Sequence, residues 1–113
     1  LLTVDEIYGL LSGLKDEDIK YAVHFLARLK IRGQIGNVKL EDIEEIRKIL
    51  LNRCPVCIEY QGNDEYKVYY DITGTHDLVI IMWLRVSTKT NVKLITLYPQ
   101  KINRRLNKNG RQL

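Results

Sequence analysis

A chain of 113 residues has the length of one domain, and 45% hydrophobic residues suffice to fill one core. No apolar run approaches the ~18 residues that span a bilayer, and the Leu1-Leu2 start shows neither a charged leader nor a cleavage site, which argues against a membrane span and a signal peptide. The net charge is +4, yet residues 101–113 hold Lys101, Arg104, Arg105, Lys108 and Arg111 with no acid, so the remainder is slightly negative. A basic patch on a nearly neutral body points to a polyanionic partner, RNA or DNA before a membrane. The absence of an initiator Met fits a domain cut from a longer protein.

The first predicted helix covers 4–12. Thr3-Val-Asp-Glu6 has the capping-box pattern, and Ile7, Leu10, Leu11 and Leu14 are apolar at helical spacing. Gly13 breaks it. Asp16, Glu17 and Asp18 then open a second helix, where carboxylates favour the positive pole. That helix is expected to run to Arg32, with Gly33 as its stop. Residues 34–39 form a loop around Gly36-Asn37. A third helix spans 41–52, with Glu41 and Asp42 at its start and Arg47 and Lys48 towards its end.

Pro55 ends the helical half. Four strand-like runs follow, at 56–60, 66–72, 78–86 and 92–98, rich in β-branched and aromatic residues. Short polar links between them predict hairpins. The run 78–86 is apolar on both faces and should be central, with Trp83 in the core rather than serving as a base-stacking platform. The expectation is a single α+β domain, 1–113: N-terminal helices (1–53) packed on a four-stranded antiparallel meander (55–99), with a basic tail at 101–113.

The richest chemistry lies in the second helix. At about 100° per residue, His24, Arg28 and Arg32 fan over about 80° of one face. Ala22, Phe25, Leu26 and Leu29 fill the apolar face beside it. Imidazole titrates near neutrality, and guanidinium forks two bonds to phosphate. The set suits binding a phosphodiester and moving protons on it, although a solvated basic face is the commoner use of such charge. RNA cleavage without a metal needs a base for the 2′-OH, an acid for the 5′-oxygen and cations or donors for the charged phosphorane. His24 is the candidate acid/base, and Arg28 and Arg32 the candidate clamps. Thr96 offers a hydroxyl on the last strand, and Asp71 is a candidate to orient His24 or act as a second acid/base. Tyr70 and Tyr98 lie at strand ends where a cleft can form, and Tyr69, Tyr70 and Tyr98 serve equally as rim packing. Tyr98, Lys101, Arg104 and Arg105 are the candidate RNA contacts besides Arg32. His76, in the turn Thr-Gly-Thr-His-Asp, is the second acid/base candidate, with a solvated turn residue as the plainer reading.

Cys54-Pro-Val-Cys57 is half of a zinc ribbon or a redox motif, and the second half is missing. The pair falls where a helix gives way to a strand, whereas a redox pair opens a helix. Two cysteines packed near a turn, disulfide-bonded if the domain is exported, is the expected state. No metal and no cofactor are expected.

The His-x-x-x-Arg helix, the hairpin strand Tyr66-Lys-Val-Tyr-Tyr-Asp71 and the last strand Leu94-Ile-Thr-Leu-Tyr98 together resemble the superfamily of small RNase toxins that groups barnase, EndoU, colicin D and RelE. The likeness covers roughly 20–105 and is greatest to C-terminal toxin domains of contact-dependent inhibition and phage-associated proteins. It implies metal-independent cleavage of RNA, often tRNA, by 2′-OH transesterification. It also implies a cognate immunity protein or antitoxin, and action in the cytoplasm of a target bacterial cell after release from a larger secreted or phage protein. Carried over by position, His24, Arg28 and Thr96 match the pattern, and Asp71 matches less well. The sequence lacks the sheet-borne Glu base of barnase, and it differs from RelE in having a histidine and a longer helical leader.

Two rivals stand beside this reading. One is a non-catalytic nucleic-acid-binding module, such as a winged helix-turn-helix. Glu41, Asp42, Glu44 and Glu45 on the third helix would repel DNA there. The other is a structural or interaction domain of a phage or secreted protein.

Overall fold

The computed structural model describes residues 1–105. Lys108 and Arg111 of the basic tail lie outside the described residues. In chain order the elements are α1 (Val4–Ser12), a 3-10 turn (Asp16–Asp18), β1 (Ile19–Tyr21), α2 (Phe25–Arg32), β2 (Gln34–Ile35), β3 (Val38–Lys39) and α3 (Ile43–Asn52). Then follow β4 (Cys57–Gly62), β5 (Glu65–Asp71), β6 (His76–Val86) and β7 (Thr90–Lys101).

The fold is α+β, but the sheet is not a four-stranded antiparallel meander. It has five strands in the order β1-β7-β6-β5-β4, and β1 runs parallel to β7. A separate hairpin, β2–β3, occupies the stretch 34–39 where a loop is expected from sequence. Nor is the first half purely helical. The second helix expected from Asp16 to Arg32 is broken into a 3-10 turn, a strand and a shorter helix. The three acids close only one turn, in which Lys15 N–H donates to Asp18 Oδ2 at 3.1 Å. That bond, with Lys89 beside it, holds the Asp18 carboxyl below its usual range. The chain then satisfies its backbone on the outer edge of β7, where Ile19, Lys20 and Tyr21 align with Val92, Lys93 and Leu94. Three residues of local helix preference are outweighed by a ready ladder partner and by the burial of Ile19.

Successive strand residues point to opposite faces, which separates the sheet into two surfaces. Tyr66, Val68, Tyr70, Leu78, Ile80, Met82, Leu84, Val92, Leu94 and Leu97 join Ile7, Leu11, Phe25, Leu29, Ile46 and Leu50 of the helices in one core. The other face holds a smaller buried cluster, Cys57, Tyr69 and Val79 packed with Tyr98, all of them strand residues. β6 is the middle strand.

Local chemistry fixes the ends. Thr3 and Glu6 cap α1 reciprocally, and Asp42 and Glu45 do the same for α3. Gly33 ends α2 because Leu40 comes too close for any side chain: a Cβ there would lie 2.0 Å from the Leu40 carbonyl oxygen. Gly36 has φ +59° at the first central position of the β2–β3 turn, a place that favours glycine. Asn63 and Asp64 have φ of 51° and 63° in the two-residue link from β4 to β5. These are the short polar residues that tolerate such angles.

Candidate nucleic-acid interface

β1 ends opposite Leu94, and Ala22 N–H extends its ladder by donating to the Leu94 carbonyl at 2.8 Å. The chain then turns, with Phe25 N–H on the Ala22 carbonyl at 3.0 Å. His24 therefore stands at the N-cap of α2, exposed, with no cap bond from its side chain, rather than within the helix body. Arg28 N–H still donates to the His24 carbonyl at 3.0 Å, so the i, i+4 relation of His24, Arg28 and Arg32 survives. Arg28 is half-buried and Arg32 exposed.

Beyond Leu94 the outer edge of β7 has no strand beside it among the described residues. Arg32 reaches across to that edge, donating to Thr96 Oγ1 at 3.2 Å and to the Leu97 carbonyl at 3.5 Å. The helix face expected to bind phosphate is thus joined to the hydroxyl expected to assist it. Arg32 and Thr96 are the pair of expected site residues that the structure brings into direct contact.

Asp71 does not belong to this group. Thr96 aligns with Ile81 and Ile81 with Lys67, whereas Asp71 closes β5 further along, opposite Asp77. Strand rise and spacing put it roughly 17 Å from Thr96. Its carboxylate accepts from Gly74 N–H at 2.7 Å and holds the β5–β6 turn. Its carbonyl accepts from Arg53 at 2.9 Å. His76 sits at that same end, its Nδ1 2.9 Å from Thr75 Oγ1.

Two clefts flank the Arg32–Thr96 contact along β7. One, of about 430 Å³, is lined by Ala22, Trp83, Lys93 and Ile95. The other, of about 400 Å³, is lined by Tyr98, Pro99, Gln100, Lys101 and Arg104. The second brings together three expected RNA contacts, Tyr98, Lys101 and Arg104. Lys67 Nζ also stands 5.8 Å from the centre of the Tyr98 ring. From Lys93 to Lys101 the strand covers roughly 27 Å, long enough to follow several nucleotides.

Arg105 is otherwise engaged. Its Nε and NH2 groups donate to Asp77 Oδ2 at 2.6 Å and Oδ1 at 2.9 Å. Asp77 is fully buried. Burial pushes its carboxyl above the usual range, Arg105 opposes that rise, and the nearby Asp71 charge adds to it. Tyr69 and Tyr70 are buried too, and burial pushes the Tyr70 phenol far up, with Cys54 adding to the effect. Cys54 is exposed and Cys57 buried, and no disulfide joins them. Among the described residues, no group of three or more His, Cys, Asp or Glu is placed to hold a metal ion. No helix among them is long and apolar enough to cross a membrane.

Sequence reasoning passes over Lys20, Arg85 and Lys93. Alternation is the available signal: Lys93 falls on the side of β7 opposite Val92 and Leu94, hence away from the helices. Trp83 likewise faces away from the main core and is half-buried, not enclosed as expected.

No curated protein and no solved structure matches the chain. A family model does match, over residues 5–82, a stretch that includes His24, Arg28, Arg32 and Asp71 and stops before β7. By that match the chain belongs to the MJ0788 family.

Proposed function

We propose that this protein binds single-stranded RNA along β7 and cleaves it by 2′-OH transesterification without a metal. The observation that carries the reading is the Arg32–Thr96 hydrogen bond. It fastens the face bearing His24 and Arg28 to the last strand, between two clefts that both carry lysine. Arg28 and Arg32 hold the phosphate, and Thr96 donates its hydroxyl. His24 moves a proton. A base takes the 2′-OH proton, the 2′-oxygen bonds to phosphorus, the P–O5′ bond breaks, and the 5′-oxygen is protonated. The products carry a 2′,3′-cyclic phosphate and a 5′-hydroxyl. Asp71 has no part in this scheme. A tRNA target and a neutralising immunity protein or antitoxin belong to the same proposal.

Inducible expression in bacteria, with total RNA run on a denaturing gel, is the direct test. Discrete fragments unaffected by EDTA are expected. His24→Ala should slow cleavage ~10²–10⁴-fold, the usual worth of a positioned proton-transfer group. Arg28→Ala should cost a similar factor, and Arg28→Lys should recover only part, because lysine cannot fork two bonds. Cleavage that persists in His24→Ala would reject the assignment.

The separation of Asp71 from Thr96 favours a second reading, RNA binding without cleavage. On that reading wild-type protein leaves RNA intact, and His24→Ala barely changes affinity.

A further inference from the structure

We infer that the cleft beside Trp83 is a subsite for one unstacked nucleobase of a single-stranded RNA. This inference rests on the RNA reading above, and it adds a position where the strand is gripped away from His24.

Four residues in register form a row across the sheet face opposite the main core: Glu65 on β5, Trp83 on β6, Lys93 on β7 and Lys20 on β1. Trp83 is half-buried, and its ring walls the cleft together with Ala22, Lys93 and Ile95. A large aromatic ring on an accessible sheet face, with two lysines on its β7 side and Glu65 on its β5 side, is an arrangement on which a base stacks while the cations take the backbone. The Arg85 guanidinium lies 5.5 Å from the Trp83 ring centre, and Arg85 Nε pairs with Asp64 Oδ2 at 3.4 Å. A cleft of about 430 Å³ is within the range of small-ligand sites.

Charge selects the occupant. Lys93 and Lys20 are both exposed and adjacent in register. Two neighbouring ammonium groups repel until an anion lies between them, and a phosphodiester next to a stacked base supplies one. Ala22 ties the subsite to the proposed chemistry, because it lines the cleft and lies two residues before His24.

Trp83 is the chain's one tryptophan, so its fluorescence reports on this cleft alone. The probe is a 2′-O-methyl RNA octamer, which lacks the attacking hydroxyl and is read without cleavage. The octamer should quench Trp83 saturably. By anisotropy of a labelled octamer, Trp83→Ala should weaken binding about 5- to 150-fold, and Trp83→Phe by less. Neither substitution removes a charge, so the salt slope should hold, whereas Lys93→Ala should lower it by ~0.7. Circular dichroism confirms that each variant is folded. Fluorescence unchanged by the octamer, equal quenching by polyglutamate, or unaltered affinity in folded Trp83→Ala would overturn the subsite. The two proposals fail separately. Trp83-dependent binding by a protein that cuts no RNA leaves the subsite standing and removes the catalysis. His24-dependent cleavage with affinity indifferent to Trp83 does the reverse.

Discussion

The face of the sheet opposite α1, α2 and α3 has two unlike ends. At one, Lys93 and the Trp83 ring line an open cleft, and Lys20 lies beside Lys93 in register. At the other, Asp71 and Asp77 face each other across β5 and β6, and the Arg105 guanidinium is locked onto Asp77. Both ends contain basic residues, but their charge does different things. Arg105 is mostly buried and neutralises a carboxylate shielded from solvent, so its field is consumed inside the fold. The lysines are exposed and keep their charge for whatever binds. The number of basic residues therefore overstates the positive charge that the surface offers to a partner. Of the tail residues expected to contact phosphate, Lys101 and Arg104 are exposed and Arg105 is committed to Asp77.

Breaking the closed end should have the largest effect. Arg105→Ala leaves Asp77 buried without its partner and should cost ~3–5 kcal/mol of stability by denaturant unfolding. Arg105→Lys should recover part of it. Acid works in a definite direction here. The Asp77 carboxyl is raised in the folded state, so the native protein binds its proton more tightly than the unfolded chain does. Its contribution is best below the ordinary carboxylate range and declines as pH rises through the raised value. Removing Arg105 raises that carboxyl further, so the penalty of Arg105→Ala should be larger at pH 7 than at pH 4. An equal penalty at both would mean that Asp77 is not the group responsible.

The open end should respond in the opposite sense. Lys20→Ala and Lys93→Ala together should change stability by no more than ~0.5 kcal/mol, as surface substitutions do. They should nevertheless lower the salt slope of RNA binding by ~0.7 for each phosphate that is no longer neutralised. A marked drop in stability would show that these charges too are spent within the fold. A stability loss well below that of Arg105→Ala is expected midway between the ends, where Lys67 stands over the Tyr98 ring. Lys67→Met should cost ~0.5–1 kcal/mol in thermal unfolding, the usual worth of a cation–π contact near the surface.

The middle of the sheet was legible in the residues, and its edge was not. The run 78–86 is apolar on both faces, and it does form the centre of the sheet. The Arg28 to Arg32 spacing follows from the helical repeat, whereas His24 stands at the N-cap, just ahead of the helix body. Ile19-Lys-Tyr21 was not legible, because three residues after three acids carry no periodicity. Their state is decided by β7, which lies far off in the chain. Gly36-Asn37 between short runs is a hairpin signal, but two-residue strands leave little else to recognise. Asp71 shows the limit for the site: its turn-closing role and its catalytic role ask for the same residue type, and only the register separates them.

The parallel pairing of β1 with β7 also orders events in time. Ile19 waits for Val92, and Arg32 for Thr96. On a ribosome, α2 emerges long before the strand that fixes it, and contacts so distant in the chain form late because a long loop must close first. His24 and Arg28 therefore leave the exit tunnel without the hydroxyl and the lysines they are proposed to work with. The nascent chain meets the RNA-rich machinery that makes it while the proposed cutting edge is still unassembled, and the edge is completed only by the last strand of the sheet.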